Sequence, residues 1–454
     1  MKKRTFALRL FGLIALLSAI LACSLAQNLL DSSLPATTPP PVVTSEALPG
    51  TELPKGPQVT EPPAPLATTE IPAETPAALQ VVYVKDGNVW LWVEGASARA
   101  LTASGNVVRV ALSGDRAVVA FQRNVDDYHA ELWAVNADGS GERLLVGVSD
   151  FDSFDPDKRL EYSLSLLPQR IAWVPGTHTL AYNTRQTFEG PGMGMFDDLR
   201  LVNADSGEKT TLLSAGQGGE FYYSPNGQSI AVVTPTMISL VNADGSNRRQ
   251  VLDYPLVVTY SEYQYYAHPL WAKDSSLLRV AIPPAEALSQ PPQPTTLWTI
   301  PMDGAPATQL ASLVAAPFFG AEVALTPDLA RMAYLREVGQ PEENRRELHL
   351  ANVDGSGDAL YLEGKFLSFS TWAPDSAYFL FSYGEPLQYY LGADGGSSTP
   401  IPGGQDIQHL RWIDNERFVF TKSLNGLWEL HLATASGATI LIDNIPGDPP
   451  NFDF

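Results

Sequence analysis

A short tandem pattern recurs along most of the chain and limits what it can fold into. A run of β-branched or aromatic residues leads into a turn built on Asp-Gly or a close variant, and a second apolar run follows. Asp and Gly tolerate the positive φ angles of tight hairpins, so each turn predicts a pair of antiparallel strands. The turns lie at Glu94-Gly95, Asp138-Gly139, Asp205-Ser206-Gly207, Asp244-Gly245, Asp303-Gly304, Asp354-Gly355, Asp394-Gly395 and Ser436-Gly437.

A second, weaker turn precedes most of these hairpins. Ser224-Pro225-Asn226-Gly227 is an example, and the apolar run 229–233 follows it. One unit is therefore a four-stranded antiparallel meander of about 40 residues, a length typical of propeller repeats. A single sheet of this kind cannot bury both of its faces, so neighbouring units must stack, and radial stacking gives an all-β propeller.

The number of units predicts eight blades, with seven as the alternative. Seven units are complete, whereas the first, over 79–103, has only three strands. We expect the tail at 451–454 to supply the missing inner strand and so close the ring.

One stretch of the chain resembles a known repeat. The segment 223–231, Tyr-Ser-Pro-Asn-Gly-Gln-Ser-Ile-Ala, is followed by Leu-Val-Asn-Ala-Asp-Gly at 240–245. This pattern resembles the TolB-like β-propeller repeat family, which is itself WD-repeat-like. The resemblance covers roughly residues 79–445 and is strongest over 217–253. It implies a closed ring that joins the two chain ends, and it implies no particular partner, because no partner-binding motif is matched.

The first residues are typical of a bacterial lipoprotein signal peptide. Basic residues within 2–9 precede an apolar run over 10–22, and Cys23, the only cysteine of the chain, follows directly. This order predicts a signal peptide at 1–22 and lipidation of Cys23. An uncleaved anchor over 10–30 is the alternative. Either interpretation predicts an extracytoplasmic protein, and lipidation would attach it to the cell membrane or the outer membrane.

The composition changes sharply after the cysteine. Residues 23–77 are rich in Pro and Thr and contain no aromatic residue. Such a stretch cannot bury enough apolar surface to fold, so we expect a disordered, extended linker or stalk. The sequence thus divides into a signal peptide, this lipidated linker and a propeller over 78–454.

The charge of the chain restricts its partners. The formal net charge is −21 at neutral pH. Nucleic acid is therefore not expected as a partner, and membrane contact is expected through the N-terminal lipid only. We expect a monomeric domain whose partner is an envelope protein or a glycan.

Long insertions are predicted to share one rim of the ring. In an up-and-down blade, the connection between the second and third strands and the connection to the next blade leave the sheet at the same end. The long insertions, at 148–168, 183–198, 253–268, 283–295 and 336–346, all fall in these two classes. Long connections within a compact domain are often functional, so we expect this rim to bind.

Aromatic residues in these insertions are the predicted binding residues. Tyrosine offers a flat apolar area with a polar tip, which suits a protein surface or a sugar ring. The alternative is that some of these rings pack beneath their own loop. The predicted partner-binding residues are Tyr260, Tyr263, Tyr265, Tyr266 and His268, together with Phe188 and Phe196 beside the glycine-rich loop 190–195.

No cofactor is expected, although one acidic loop is a weak candidate for calcium. Asp150, Asp152, Asp155 and Asp157 lie within eight residues of one another. Several carboxylates in a short loop could chelate calcium, but the glycine of the usual calcium loop is missing. A solvated acidic loop is the favoured interpretation.

The chain carries no linear catalytic motif, so we do not predict an enzyme. Its six histidines are scattered singly, and no Gly-x-Ser-x-Gly sequence occurs. The alternative is a carbohydrate-active hydrolase with paired carboxylates in the central pocket, because carboxylates supplied by different blades leave no linear motif. A purely structural spacer in the envelope is a third hypothesis.

Overall fold

The computed structural model describes residues 78–190, 194–316 and 323–454, and all of these belong to one compact unit. The predicted signal peptide, Cys23 and the linker lie outside the described residues, as does the 191–193 part of the glycine-rich loop. Within the described ranges, no helix has the length and apolar character needed to cross a membrane.

The described chain is almost entirely β-strand. It contains one short α-helix, α1 (Val148–Ser153), and two 3-10 turns at Pro156–Lys158 and Pro341–Glu343. The strands are β1 (Gln80–Lys85), β2 (Asn88–Val93), β3 (Arg99–Ala100), β4 (Val107–Leu112), β5 (Val118–Asn124), β6 (Ala130–Asn136), β7 (Arg143–Val146), β8 (Ser165–Trp173), β9 (Thr179–Thr187), β10 (Gly194–Met195), β11 (Leu199–Asn203), β12 (Lys209–Leu213), β13 (Glu220–Tyr223), β14 (Ser229–Thr234), β15 (Met237–Asn242), β16 (Arg249–Asp253), β17 (Leu270–Trp271), β18 (Leu277–Ile282), β19 (Thr295–Pro301), β20 (Thr308–Leu313), β21 (Ala324–Leu325), β22 (Arg331–Val338), β23 (Arg345–Asn352), β24 (Ala359–Lys365), β25 (Ser368–Trp372), β26 (Tyr378–Tyr383), β27 (Gln388–Ala393), β28 (Thr399–Pro400), β29 (Ile407–Trp412), β30 (Arg417–Leu424), β31 (Leu427–Thr434), β32 (Thr439–Pro446) and β33 (Phe452–Asp453).

The strands form eight antiparallel sheets, which are the blades of a propeller. Blade 1 consists of β33 and β1–β3, and blade 2 of β4–β7. Blade 3 contains β8–β12, and blades 4 to 8 each take the next four strands in order, from β13 to β32. The prediction of an eight-bladed propeller of four-stranded sheets is confirmed. Blade 3 alone has a fifth strand, the short β10, which pairs with the far end of β9.

The C-terminal tail completes the first blade. Phe452 pairs with Tyr83 and Asp453 with Val82 in an antiparallel ladder between β33 and β1. The amide of Val84 also donates to the carbonyl of Asn451 at 2.9 Å. The expectation that the tail supplies the missing inner strand is therefore confirmed.

The core lies between the blades, because both faces of each sheet are covered. In β9, Leu180 and Tyr182 pack in the cluster shared with blade 2, whereas Ala181 packs in the cluster shared with blade 4. This alternation is the period of two that a strand imposes on its side chains. Each fully buried large apolar side chain contributes about 1.5–3 kcal/mol, so the blades are stable only as a stack.

Tryptophans on the inner strands tie neighbouring blades together. In blades 3, 5 and 7, a tryptophan ends the first strand. Its indole Nε1 donates a hydrogen bond to a backbone carbonyl on the first strand of the preceding blade. The pairs are Trp173 with Ala111 at 3.1 Å, Trp271 with Tyr222 at 2.9 Å and Trp372 with Ala324 at 2.9 Å.

The two rims of the ring differ strongly. We call long-loop rim the one that carries the connections between second and third strands and between blades. Its long connections are 147–164, 254–269 and 283–294, and the strand ends that flank 188–198 and 314–323 lie at the same rim. The opposite rim, the short-turn rim, carries only turns of four to six residues. The prediction that the long connections share one rim is confirmed, except that 336–346 is not an insertion. There β22 continues to Val338 and β23 begins at Arg345, so the connection between them is only 339–344.

Candidate functional site

A cleft of about 320 Å³ opens on the long-loop rim where blades 3, 4 and 5 meet. The first strands of blades 3 and 4 contribute to its wall, β10 closes one side, and the connection 254–269 covers the rest. The lining residues are Gln169, Met195, Glu220, Thr259, Tyr263, Gln264, Tyr265, Tyr266 and His268. Four of the predicted partner-binding residues are therefore brought together here.

Buried tyrosines hold the connection 254–269 in place. Tyr254, Tyr265 and Tyr266 are 6 to 8% exposed and belong to the core cluster between blades 4 and 5. The Tyr254 hydroxyl donates to the Thr234 carbonyl, and burial raises the pKa of Tyr254 to about 12. These rings pack beneath the loop, as the alternative interpretation expected, and the loop is anchored rather than loose.

Two tyrosines of the same connection reach into solvent. Tyr260 and Tyr263 are 58% and 48% exposed. Tyr260 has a φ of 56°, a left-handed conformation that is unusual for a bulky residue, and its hydroxyl donates to Glu286 at 2.9 Å. The neighbouring connection 283–294 thus braces Tyr260. The role of both residues in binding stays a prediction.

A series of polar contacts crosses the cleft from blade 3 to the connection 254–269. Arg170 Nη1 lies 3.7 Å from Glu220 Oε2, and the Arg170 guanidinium lies over the Tyr222 ring at 4.6 Å. The Tyr222 hydroxyl in turn hydrogen-bonds to Nδ1 of His268 at 2.8 Å. His268 is exposed, so it presents an imidazole edge at the mouth of the cleft.

A buried ion pair lies at the neighbouring end of blade 3. Asp198 is fully buried and accepts hydrogen bonds from the Thr184 amide at 2.7 Å and from Arg200 Nε at 2.8 Å. Burial raises the pKa of the Asp198 carboxyl, and the bonds from Arg200 and Thr184 oppose that rise. Arg200 also donates to Asp155 at 2.7 Å and lies 3.7 Å from the centre of the Phe154 ring.

Asp197, the residue before Asp198, carries a second carboxyl whose pKa is shifted by its surroundings. Its Oδ1 accepts a hydrogen bond from the Tyr266 hydroxyl at 3.0 Å. Burial raises the pKa of Asp197, and the charges of Asp198 and Glu220 raise it further, against the opposing effect of Tyr266. A carboxyl with a raised pKa therefore lies behind the cleft, bonded to the lining residue Tyr266 and near Glu220.

Two glycines allow this part of the site to form. An added Cβ on Gly219, whose φ is 149°, would lie 2.1 Å from the Val233 carbonyl oxygen. An added Cβ on Gly218 would lie 2.4 Å from the Asp198 backbone. Real Cβ atoms do not come so close, so only glycine lets the connection 214–219 pass there and deliver Glu220 to the cleft.

The acidic candidates for calcium are not gathered around a common point. Asp150 accepts from the Gly147 amide at 2.8 Å and pairs with Lys209 at 2.6 Å, while Asp155 pairs with Arg200. Asp152 and Asp157 are exposed. In the part of the chain that the structure describes, no three His, Cys, Asp or Glu side chains are placed to hold a metal ion. Calcium binding by this loop stays a prediction without support from this arrangement.

The two phenylalanines beside the glycine-rich loop lie apart from the cleft. Phe196 is 4% exposed and packs in the core between blades 2 and 3. Phe188 is half-buried, and its ring centre lies 5.1 Å from that of Tyr162, which is 67% exposed. Sequence reasoning missed Tyr162, which offers far more free surface than Phe196.

Exposed apolar side chains are distributed unequally between the rims. Twelve large ones lie in connections of the long-loop rim, and none of the described short turns contains one. The twelve are Val125, Tyr128, Leu160, Tyr162, Leu164, Leu256, Tyr260, Tyr263, Leu288, Val314, Phe366 and Leu387. The same rim therefore carries the long connections, the cleft and the exposed apolar surface.

Comparison with known proteins does not assign a family. No protein-family model matches the chain, and no curated protein matches it in sequence. Among solved structures it is similar to a eukaryotic initiation factor, with 11% identity over 81% of this chain and 84% of that chain and a TM-score of 0.49. A dipeptidyl peptidase 4 of Porphyromonas gingivalis gives 13% identity over 74% of this chain and 53% of that chain, with a TM-score of 0.49.

TolB proteins also occur among the similar structures. TolB of Acinetobacter baumannii is 10% identical over 63% of this chain and 64% of that chain, with a TM-score of 0.31. These similarities are too low to carry an argument about function. The propeller is established by the strand pairing of this chain itself.

Proposed function

We propose that this chain is an extracytoplasmic binding or scaffold module that recognises an envelope protein or a glycan with its long-loop rim. The observation that carries this proposal is the one-sided distribution of exposed apolar side chains. Large exposed apolar surfaces mark sites of interaction with proteins, membranes or ligands. Solubility alone does not require exposed apolar side chains to lie in the connections of one rim.

The cleft fits this role because it combines an aromatic surface with hydrogen-bonding groups. Tyr263 supplies exposed ring surface, and Gln169, Thr259 and Gln264 supply polar side chains. Binding sites of this kind orient a partner through a few polar groups on an apolar wall. The loop is anchored by buried tyrosines, so little ordering entropy opposes binding.

The first described strand enters the ring away from the long-loop rim. β1 runs from the short-turn rim towards the long-loop rim, so the chain enters the ring at the rim without long loops. Lipidation of Cys23 would attach the chain to a membrane. Radiolabelled palmitate should label the wild-type protein in cells but not the Cys23→Ser variant. Equal labelling of both would contradict the anchor.

The binding role is tested by capture from an envelope extract. We compare residues 78–454 with a triple variant, Leu256→Ser, Tyr260→Ser and Tyr263→Ser, and with a control, Tyr378→Ser, on the short-turn rim. Replacing the whole connection 253–268 would remove core tyrosines, so point variants are the sharper choice. A partner retained by the wild type and the control but lost by the triple variant supports the proposal. Equal retention by all three, or by none, contradicts it.

A hydrolase is a second candidate because of one observation, the raised pKa of Asp197 beside Glu220. A carboxyl whose pKa is raised, beside a second carboxyl, is the arrangement with which glycosidases supply a general acid and its partner. Release of reducing ends from envelope polysaccharides tests it. Activity must disappear in Asp197→Asn and in Glu220→Gln, while the control Glu337→Gln keeps it. The absence of turnover by the wild type would remove this candidate.

A further inference from the structure

One arginine beside the cleft has no partner within the described residues. Arg185 lies in β9 and is half-buried, and its guanidinium forms neither a hydrogen bond nor an ion pair with any residue that the structure describes. Its backbone pairs with Met195, which lines the cleft. By contrast, Arg170 and Arg200 each pair with a carboxylate. An unpartnered guanidinium is unexpected in a chain with a net charge of −21.

A second arginine approaches the same place from blade 2. Arg109 of β4 is half-buried and donates to the carbonyl of Gln169, another lining residue, at 2.8 Å. It forms no ion pair with a described carboxylate. Burial lowers the pKa of both arginines, and the charge of Arg185 lowers that of Arg109 further. Two like charges therefore stand near each other, and no carboxylate among the described residues forms an ion pair with either; a bound anion would relieve that cost.

The groups that line the cleft indicate what kind of molecule carries the anion. Gln169, Thr259 and Gln264 are neutral donors and acceptors, suited to hydroxyl groups, and the Tyr263 ring offers a flat surface to the apolar face of a sugar. Glu220 is balanced in part by Arg170. The acidic surface of the domain repels polyanions at long range, so recognition has to come from this local arrangement.

We propose that the cleft binds an acidic glycan, with the carboxylate of a uronic-acid residue held by Arg185 and the sugar ring placed against Tyr263. This inference rests on the proposed function, because it names the ligand class of the same rim. Arg109 is a positioning residue in this site: it fixes the Gln169 carbonyl and adds positive charge behind Arg185. An acidic peptide also carries a carboxylate. It has fewer hydroxyl groups for Gln169, Thr259 and Gln264 to bind and no sugar face to place against Tyr263.

The test is calorimetric titration of residues 78–454 with three uronate probes: an oligogalacturonate, an oligomannuronate and a hyaluronan tetrasaccharide. The methyl ester of the best binder provides a neutral ligand with the same sugar. Citrate and a tetraglutamate peptide report on the carboxylate without the sugar. The variants are Arg185→Gln and Tyr263→Ser. Arg336→Gln is the matched control, since it makes the same charge change on the same rim at a residue already paired with Glu347.

We expect at least one uronate probe to bind, with affinity reduced tenfold or more by Arg185→Gln and by Tyr263→Ser and unchanged by Arg336→Gln. The methyl ester should bind at least tenfold more weakly than the acid. Binding of citrate or of the peptide as tight as that of the uronate would overturn the glycan class. Equal binding of ester and acid, or no uronate binding, would overturn the proposal. If capture by the long-loop rim still succeeds in that case, the proposed function stands without this ligand.

Discussion

The hydroxyl of Tyr83 in the first blade donates to the carboxylate of Asp443 in the last, at 2.6 Å. Lys85 Nζ lies 2.8 Å from both oxygens of the same carboxylate. Burial raises the pKa of Tyr83, and the bond to Asp443 adds to the rise, so the tyrosine stays a donor at all ordinary pH values. The ring is thus closed by side chains as well as by the ladder between β33 and β1.

Loss of the C-terminal strand should weaken the whole domain. Phe452→Ala removes a ring that is 5% exposed and packs with Tyr83 at the closure. We expect a loss of about 3 kcal/mol in the free energy of unfolding, the usual cost of truncating a buried phenylalanine. Denaturant titration measures it, with Leu360→Ala, at an exposed position, as the control. An effect no larger than that of the control would argue against closure by the tail.

The bond between Tyr83 and Asp443 should be worth a modest amount by itself. Tyr83→Phe removes the donor and leaves Asp443 paired with Lys85. We predict a cost of about 1 kcal/mol, the typical net contribution of one such hydrogen bond. Tyr378→Phe, at an exposed position on the short-turn rim, should change stability by much less. Equal effects of the two substitutions in denaturant titration would contradict the prediction.

A histidine makes the contact between blades 2 and 3 dependent on pH. His178 lies 2.9 Å from Asp205 and 3.0 Å from Asp115 on the short-turn rim. Burial alone lowers the pKa of His178, but the hydrogen bonds and charges of Asp205 and Asp115 outweigh it and raise the pKa above the ordinary 6.5. The protonated imidazole is therefore favoured in the folded state.

The sign of the pH effect follows from that raised pKa. The stabilisation by His178 should be fully present below about pH 6.5, the pKa of a histidine in the unfolded chain, and should disappear as the pH rises through the higher folded pKa. We expect His178→Gln to cost more stability at pH 5.5 than at pH 8.5. Denaturant titrations at both pH values check this. A cost that is the same at both, or larger at the higher pH, would contradict it.

The buried pair of Asp198 and Arg200 should be the most sensitive ion pair of the domain. Arg200→Met leaves a carboxylate at 0% exposure without its cationic partner. We predict a loss of about 3–5 kcal/mol, as is typical when one member of a buried pair is removed. Arg336→Met breaks an exposed pair with Glu347 and should cost about 1 kcal/mol or less. Similar losses for both variants would count against a buried network at this end of blade 3.

The blades were predictable because their signals are local. A turn with positive φ between two runs of alternating apolar residues defines a hairpin. The first unit contains one strand too few, and this indicated that the C-terminal tail supplies the missing strand. The segment 336–346 was misjudged because its strands carry charges. Arg336 pairs with Glu347 at 2.6 Å and Glu337 with Arg346 at 3.8 Å, so cross-strand ion pairs replace the expected apolar alternation.

The site was predictable only where one connection carries it. The tyrosines of 254–269 lie close together in the sequence, so the sequence alone indicates them. Their burial could not be predicted, because it depends on the neighbouring blade. Glu220, Gln169, Arg109 and Arg185 come from four strands in three blades. No spacing along the chain links them, and only the ring brings them together.

Photo-cross-linking in living cells tests most directly whether the long-loop rim is the recognition surface. A photoreactive phenylalanine analogue replaces Tyr260 on that rim or, in a second strain, Tyr378 on the short-turn rim. Both side chains are exposed, so both positions can report on a neighbour. We predict a discrete adduct with an envelope component from position 260 and none from position 378. An adduct from position 378 alone, or no adduct from either position, would contradict the proposal.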